Sequence, residues 1–348
     1  MSIASALQAP ADIAALQDYF EEQGFTDGLP VVPPLPHLVE AMVAGSGLSA
    51  DTELGIIGPS MVSATVGKVA VNAVMAGAKP AYMPVIVAAL RAMTKPDWNV
   101  AGIQATTHPV APLILVNGPI RKTLNINCGS NVFGQGWRAN ATIGRAVRLA
   151  LMNIGQGLPG KTDMATQGSP CKYSFVAGEN EEESPWEPYH VERGFKAEDS
   201  CVTVFGAEGQ HNMQDHGSNV PSDLLMTIAD TMNITGNNNV GLGGEMMVAL
   251  GPEHAAILAS TGMSKEDIRQ ELHRRLRLQL KRWPARLHDW YRKRRATVDV
   301  GPEVEEISYF DDASQILICV AGGAGLHSAI IPGFGGMSKS STERIVLP

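Results

Sequence analysis

Several features that would quickly identify a fold or a compartment are scarce in this sequence. Its four cysteines are isolated and form no CxxC pair, so the sequence predicts neither a disulfide framework nor a zinc ribbon. No apolar run approaches the roughly 20 residues that a transmembrane helix needs, and the N-terminus lacks the basic and apolar regions of a secretory signal. We therefore expect a cytoplasmic protein without a membrane partner.

Motifs for nucleotides and nucleic acids are also missing. The sequence has no Walker loop, no GxSxG, and no GxGxxG after a strand; its GLGG at residues 241–244 precedes an apolar run instead. Of the 27 Lys and Arg residues, 12 fall within residues 265–295, so the remainder of the chain is strongly acidic and nucleic acid is not the expected partner. The basic stretch has a helical period. It predicts a solvated helix or a homo- or hetero-oligomer contact, with RNA or phosphate binding as the alternative.

Apolar segments are plentiful and indicate the fold class. Short apolar runs predict buried strands, and longer, weakly charged runs predict apolar helices that are covered on both sides. The predicted class is therefore layered α/β, with mainly parallel sheets flanked by apolar helices. We expect two α/β domains, residues 1–160 and 161–348, or one compact unit. The predicted strands are Pro112–Val116, Cys201–Phe205, Met246–Leu250 and Ile316–Ala321, and the helices include residues 12–24, 62–77 and 82–93 and one beginning near Trp137.

The stretch from Thr106 to Arg145 looks central to the chain. It reads as a strand, a loop rich in glycine and asparagine, and a long helix. Backbone N–H groups of such a loop, next to a helix N-terminus, favour a carboxylate, phosphate or oxyanion. Arg138 in the first helical turn would hold an anionic substrate with two hydrogen bonds. The predicted substrate-binding residues are Asn117, Asn127, Ser130, Asn131, Arg138 and Asn140.

A second pattern places histidines after strands. Three apolar runs are each followed by glycine and then by His211, His254 or His327, and His108 lies just ahead of another run. Loops at strand ends would bring these imidazoles to one edge of a sheet, which makes His108 and His327 catalytic candidates. His211, Asp215 and His216 form the densest group of metal-type side chains. They predict a divalent metal (zinc, iron or manganese), and the alternative is imidazoles bonded to backbone carbonyls.

Two further residues could take part in catalysis. Glu179 follows a short apolar run and opens an acidic segment in which most carboxylates must face water, so one that turns inward could act as a general base. Cys128 lies in the central loop near basic residues and could be a nucleophile with a lowered pKa. The alternative for Cys128 is a small residue tolerated in a tight loop.

Longer strings in the chain carry a family resemblance. The strings TDGLPVVPP, ATTHPVAPLILVNGPI, GWRANATIGRA, ENEEESPWEPYHVERGF and VAGGAGLHS together span most of the sequence. They resemble a bacterial family associated with the label UGSC, which is linked to cysteine or selenocysteine reductases of the glycine reductase type. The resemblance implies a thiol-dependent reductase subunit with a thiol or selenol partner. At the matching position this chain has Cys128, Gly129, Ser130 and Asn131, so the second thiol of the motif is absent.

The concentration of Gly, Asn and His at predicted strand ends favours an enzyme. The leading hypothesis is cleavage or addition at a carbon–heteroatom bond of a small anionic organic molecule by His and Glu acid–base catalysis, with or without a metal. This covers lyases, hydratases and hydrolases. The first alternative is a Cys-dependent reductase subunit that works with a thiol or selenol partner. The second is a non-catalytic ligand-binding or assembly subunit.

Overall fold

A computed structural model describes residues 8–234, 236–288 and 305–348. Its helices are α1 Ile13–Glu22, α2 Pro36–Gly45, α3 Val66–Met75, α4 Met83–Met93, α5 Val100–Gln104, α6 Ile120–Thr123, α7 Arg138–Asn153, α8 Tyr189–Glu192, α9 Pro221–Met232, α10 Asn238–Leu242, α11 Pro252–Ala259 and α12 Lys265–Arg275. Its strands are β1 Glu53–Ile57, β2 Val62–Thr65, β3 Ala111–Asn117, β4 Val176–Gly178, β5 Cys201–Ala207, β6 His211–Gln214, β7 Met246–Leu250, β8 Arg277–Gln279, β9 Glu306–Ser308, β10 Ile316–Val320, β11 His327–Ile331 and β12 Ser341–Arg344.

Two four-stranded sheets organise the molecule. The first has the order β12-β5-β3-β4, in which β3 runs parallel to β4 and antiparallel to β5. The second has the order β10-β7-β11-β6, in which β10 and β7 are parallel and β11 is antiparallel to both of its neighbours. The predicted α/β class is confirmed. The sheets are mixed rather than mainly parallel, with one parallel pair in each.

The two sheets pack face to face between two layers of helices. Leu113 and Phe205 of the first sheet share a buried cluster with Met247 and Leu317 of the second. The opposite face of the first sheet packs against α3, α4 and α7, and that of the second against α9, α11 and α12. Strands β3, β7 and β10 are therefore covered on both faces, which is why they read as continuous apolar runs in the sequence.

The chain does not divide in space at residue 160. Strand β3 lies before this position, but it pairs with β4 and β5 from beyond it, and β12 near the C-terminus completes the same sheet. The buried cluster between the sheets also contains side chains from both halves of the sequence. The predicted boundary at residue 160 therefore separates strands that pair with each other in the first sheet.

Two predicted helices have different boundaries in the structure. The segment predicted as one helix over residues 62–77 begins as β2, which pairs with β1, and Thr65 then caps α3 by accepting from the N–H of Lys68. The basic helix ends at Arg275, where the chain enters β8 and pairs with β9. Residues 289–295 of the basic stretch lie outside the described residues. Across the described ranges, no helix is long and apolar enough to cross a membrane.

Loops from both sheets meet beyond the carboxyl ends of β7 and β10. The N–H of Gly322, just after β10, donates to the carbonyl of Cys128 at 2.9 Å. The N–H of Asn180, just after β4, donates to the carbonyl of Val320 at 2.7 Å. These contacts bring the glycine- and asparagine-rich loop of the first sheet against the second sheet. In α/β proteins this end of the strands is where ligands bind.

Candidate active site

A pocket of about 410 Å³ lies beyond the carboxyl ends of β7 and β10. One wall is the loop after β3, with Ser130 and Asn131, and the other is the segment from Gly323 to Ser328. Asn212 of β6 closes one side. The volume falls in the range of small-molecule sites, and the pocket combines an apolar floor of alanines with amide, imidazole and hydroxyl groups.

Two predicted substrate-binding asparagines hold the loop after β3 in place. Asn140 of α7 accepts from the N–H of Asn127 at 2.8 Å and donates to the carbonyls of Asn127 and Val176. Asn127 in turn donates to the carbonyl of Ser130 and accepts from the N–H of Gly129, both at 3.0 Å. Both asparagines are buried and satisfied by the protein. They position Ser130 and Asn131, which line the pocket; the predicted role of these two residues in substrate binding stays a prediction.

The opposite wall of the pocket has a backbone conformation and a close contact that only glycine allows. Gly322 and Gly325 have φ values of 115° and 133°, a region that disfavours other residues. Gly323 lies so close to the facing loop that a Cβ there would be 2.0 Å from Ser130 Oγ. Gly325 donates its N–H to Glu253 at 3.0 Å. The N–H groups of Gly323 and Ala324 have no acceptor among the residues that the structure describes, so they remain able to bind a ligand oxygen.

A serine–histidine pair lies at the base of this wall. Ser328 Oγ is 2.8 Å from Nδ1 of His254, and Nε2 of His254 is 3.1 Å from the carbonyl oxygen of Asp215. Because a carbonyl can only accept, Nε2 of the neutral ring carries the proton and Nδ1 is left to accept from the serine hydroxyl. The N–H of Gly251 also donates to Ser328 Oγ at 3.0 Å. The arrangement can remove a proton from Ser328 and stabilise negative charge on its oxygen.

Two more imidazoles lie near this pair. His327, the residue before Ser328, lines the pocket, and its Nδ1 is 3.1 Å from Oδ1 of Asn212. The ring of His216 meets that of His327 edge-on, with centroids 5.2 Å apart. Of the imidazoles predicted to gather at one edge, His254 and His327 do so, and His216 joins them in place of His108 and His211. Of these, His254 is fully buried, whereas His216 and His327 are exposed.

Glu179 lies in a buried network and does not line the pocket. Its carboxylate accepts from the side chain of Asn117 and from the N–H of Tyr189, and it lies 3.9 Å from Nζ of Lys265. Burial raises the pKa of Glu179, and Lys265 partly offsets this shift. Glu179 and Asn117, predicted as a base and a substrate ligand, therefore join the ends of β3 and β4 to α8 and α12.

Cys128 borders a second part of this network. Its Sγ is 3.7 Å from Nη1 of Arg121, whose guanidinium is buried and forms ion pairs with Glu181 at 2.7 Å and Glu182 at 3.1 Å. The hydrogen bond from Arg121 holds the pKa of Glu182 at about 2. Cys128 is half-buried, and all four cysteines are free thiols. The thiol therefore faces a guanidinium that already has two carboxylate partners.

Arg138 and His108 are not where the sequence predicts. The guanidinium of Arg138 donates twice to the carbonyl of Gly77, at 2.9 and 3.1 Å, because its position on α7 faces the end of α3 rather than the loop after β3. His108 precedes β3 and therefore lies at the opposite end of that strand from Asn117. There it bonds Glu208 at 2.7 Å. Neither residue lines the pocket.

The predicted metal ligands do not form a metal site. The carboxylate of Asp215 accepts from Thr227, from both donors of Ser218 and from the N–H of Gly217, and these bonds lower its pKa. His211 pairs with Ile330 in the sheet, at the far end of β11 from His327. Within the described ranges, no three His, Cys, Asp or Glu side chains are arranged to hold a metal ion. Asp215 instead stabilises a turn through its side chain, and its backbone carbonyl orients His254.

Sequence reasoning missed Ser328, Asn212 and Gly323. Ser328 directly follows the predicted His327, but no nucleophile motif surrounds it, and its partner His254 lies 74 residues away in sequence. The glycines after β10 were noted only as part of the strand–Gly–His pattern. That pattern was the available signal, because it marked the two strand ends, after β7 and β10, that meet at this pocket.

A scan against protein-family models matches no family, and a search of curated proteins finds no match.

Proposed function

We propose that this protein is a hydrolase for a small acyl compound, with Ser328 as the nucleophile and His254 as its general base. The observation that carries the proposal is the contact of 2.8 Å between Ser328 Oγ and Nδ1 of His254, with the tautomer of His254 fixed by the carbonyl of Asp215. A serine hydroxyl is a weak nucleophile until an adjacent base accepts its proton. This pair meets that requirement at the edge of a small-molecule pocket.

The reaction would proceed in two steps. Ser328 Oγ attacks the carbonyl carbon of the substrate as its proton passes to Nδ1 of His254, and the same proton then leaves with the alcohol, thiol or amine. Water repeats the sequence on the acyl-serine, which releases the acid and restores Ser328. In the charged intermediate, the carbonyl of Asp215 stabilises the imidazolium through Nε2. Gly323 and Ala324 line the same pocket, and their N–H groups, which have no acceptor among the described residues, are suited to a developing oxyanion.

The substrate we propose is a small, uncharged ester, thioester or amide. No Lys or Arg side chain is among the described residues that line the pocket, so nothing there provides a fixed positive charge for an anion. The polar groups that line it are amides, hydroxyls, an imidazole and backbone N–H groups. Of the reactions at a carbon–heteroatom bond expected from the sequence, we therefore propose hydrolysis. The substrate we propose is uncharged, whereas the sequence predicts an anionic one.

A small activated ester tests the proposal. Purified protein mixed with p-nitrophenyl acetate should release p-nitrophenol and form an acetyl adduct on Ser328, detected by peptide mass spectrometry. Ser328→Ala should lose both signals. Ser260→Ala is a matched control, because this exposed serine at the end of α11 contacts only a helix carbonyl. Equal ester turnover in wild type and Ser328→Ala would reject the proposal.

The second candidate is the Cys-dependent reductase subunit that the UGSC resemblance implies. Its support is the contact of 3.7 Å between Cys128 Sγ and Nη1 of Arg121, which gives the sulfur a hydrogen-bond donor. Under this alternative, iodoacetamide should modify Cys128 faster than the other three cysteines and should block activity. Cys128→Ser should then abolish activity, whereas the hydrolase proposal expects this variant to keep its ester turnover.

A further inference from the structure

A second cavity is separate from the candidate active site. It has a volume of about 1080 Å³ and lies between the segment after α1, the C-terminal half of α7 and the loop that follows α7. It shares no lining residue with the pocket that contains Ser328. Its walls combine apolar groups, such as Phe25 and Met152, with both cationic and acidic side chains. The cations are Arg148, Lys161 and Lys172, and the carboxylates are Glu21, Asp27 and Asp163. This cavity plays no part in the proposed hydrolysis.

Two hydrogen bonds hold Arg148 in this wall, but one nitrogen of its guanidinium has no partner among the described residues. Its Nε donates to the carbonyl of Lys172 at 2.7 Å, and its Nη1 donates to Oε1 of Gln104 at 2.8 Å. The residue is only 5% exposed, yet its Nη2 has no hydrogen-bond partner among the described residues. Two of the three nitrogens therefore fix the guanidinium plane, and the third is left without an acceptor.

Two of the three carboxylates that line this cavity are already paired with other cations. Asp163 accepts from Nζ of Lys172 at 2.6 and 2.8 Å, and Asp27 accepts from Arg145 at 2.8 and 2.9 Å. Within the part of the chain that the structure describes, no carboxylate lies within 4.0 Å of Arg148. The guanidinium therefore has neutral hydrogen-bond partners and distant charges, but no ion pair of its own.

A buried charge without a partner is unfavourable unless a ligand compensates it. Burial lowers the pKa of Arg148 to about 10, so the side chain still carries its positive charge at neutral pH. Burying a charge is costly unless it is paired and hydrogen-bonded. An anion that accepts from Nη2 would supply both the missing charge and the missing acceptor. Arginine is also the side chain best suited to carboxylate and phosphate groups.

We propose that this cavity is a second ligand site, which binds a small organic anion through a carboxylate or phosphate group on Arg148 Nη2. The apolar body of the ligand lies along Phe25, Met152 and Leu158, which line the same cavity. The site is distinct from the hydrolase pocket, so the two proposals can fail independently. The residue that binds the anion here is Arg148 and not Arg138, which the sequence predicts for that role. Arg138 lies ten positions earlier on α7 and is exposed.

Calorimetric titration of the full chain with benzoate and with inorganic phosphate tests the proposal. Wild type should bind at least one of these probes, and Arg148→Met should weaken binding by roughly 10- to 150-fold, the loss expected for one charge-assisted hydrogen bond. Arg138→Met is the matched control, because it removes the same charge from the same helix but does not line the cavity. It should bind the probe as wild type does.

The pattern across probes identifies the ligand group. Preference for benzoate indicates a carboxylate with an apolar body, and preference for phosphate indicates a phosphate ester. Failure of both probes to bind wild type at millimolar concentration, or equal affinity in wild type and Arg148→Met, would overturn the proposal. If Arg148→Met does not fold, wild-type crystals soaked in 4-bromobenzoate decide the matter. Anomalous bromine signal in the cavity with the carboxylate on Arg148 is expected, and its absence there rejects the site.

Discussion

Replacing His254 by glutamine should slow ester hydrolysis strongly while the fold is retained. The change removes Nδ1, which lies 2.8 Å from Ser328 Oγ, so the hydroxyl loses the group that accepts its proton. General base catalysis by a positioned side chain typically contributes about 10²- to 10⁴-fold. We therefore expect the steady-state rate with p-nitrophenyl acetate to fall by that factor. KM should change little, because His254 does not line the pocket.

The cost to stability should be small by comparison. The substitution removes two hydrogen bonds of a buried side chain, each worth about 0.5–1.5 kcal/mol. A domain is typically stable by about 5–15 kcal/mol, so the variant should remain folded at 25 °C. Urea denaturation of the variant and of wild type measures this difference and separates a loss of catalysis from a loss of structure.

A second buried histidine provides the control. His190 of α8 is also fully buried and contacts a backbone carbonyl, that of Lys196, but it is not part of the serine pair. His190→Gln should therefore lose some stability and keep its ester turnover. If His254→Gln and His190→Gln hydrolyse the ester equally fast, with both proteins folded, His254 is a structural residue and the assignment of the base is wrong.

Two further predictions concern the surroundings of the site. Burial raises the pKa of Glu179, so the folded state binds the proton of this carboxyl more tightly than the unfolded chain does. The stability that this proton binding contributes is fully present below the pKa in the unfolded chain, about 4.3. It is lost as pH rises through the pKa in the folded state. Glu179→Gln, which stays neutral, should therefore gain stability relative to wild type between pH 4 and pH 8 in urea denaturation, and a pH-independent difference would contradict the raised pKa. Gly323→Ala places a Cβ 2.0 Å from Ser130 Oγ, so the two loops must separate, at a cost of about 1–3 kcal/mol and most of the ester turnover. Gly209→Ala, whose nearest contact is 3.6 Å, is the matched control, and equal activity of the two variants would show that the close approach of the loops is not needed.

The sequence predicted the strands that are buried on both faces along their whole length. Strands β3, β7 and β10 are buried on both faces, so their continuous apolar runs left little ambiguity. Residues 62–65 were assigned to a helix because the whole segment from Val62 to Gly77 is rich in Ala and Val. Only the pairing with β1, a tertiary contact, makes this segment a strand.

Strand direction could not be read from the same patterns. The cluster between the sheets buries β5 as completely as β3, although the two strands run antiparallel. A fully buried antiparallel strand looks like a parallel one in sequence. For this reason the sheets were predicted to be mainly parallel, and His108 and His211 were placed at the same edge as His327.

Some of the predicted site residues line the pocket, and their roles in binding and catalysis stay predictions. Ser130, Asn131 and His327 line the pocket, because loops at strand ends reach this edge whatever the details of packing. Side-chain direction was harder to predict. Arg138 faces Gly77 and Glu179 faces the interior, and both directions depend on how α7 and α12 pack rather than on local sequence. The pairing of Ser328 with His254 joins two distant segments and was not predicted.

The reaction of wild-type protein with a fluorophosphonate tests the central claim most directly, because it needs no knowledge of the substrate. Such a reagent phosphonylates a serine that is activated as a nucleophile, and mass spectrometry of the intact protein and its peptides locates the adduct. We predict one adduct per chain, on Ser328, that forms much more slowly in His254→Gln. An unmodified protein, or an adduct on any residue other than Ser328, would contradict the assignment of Ser328 and His254 as the catalytic pair.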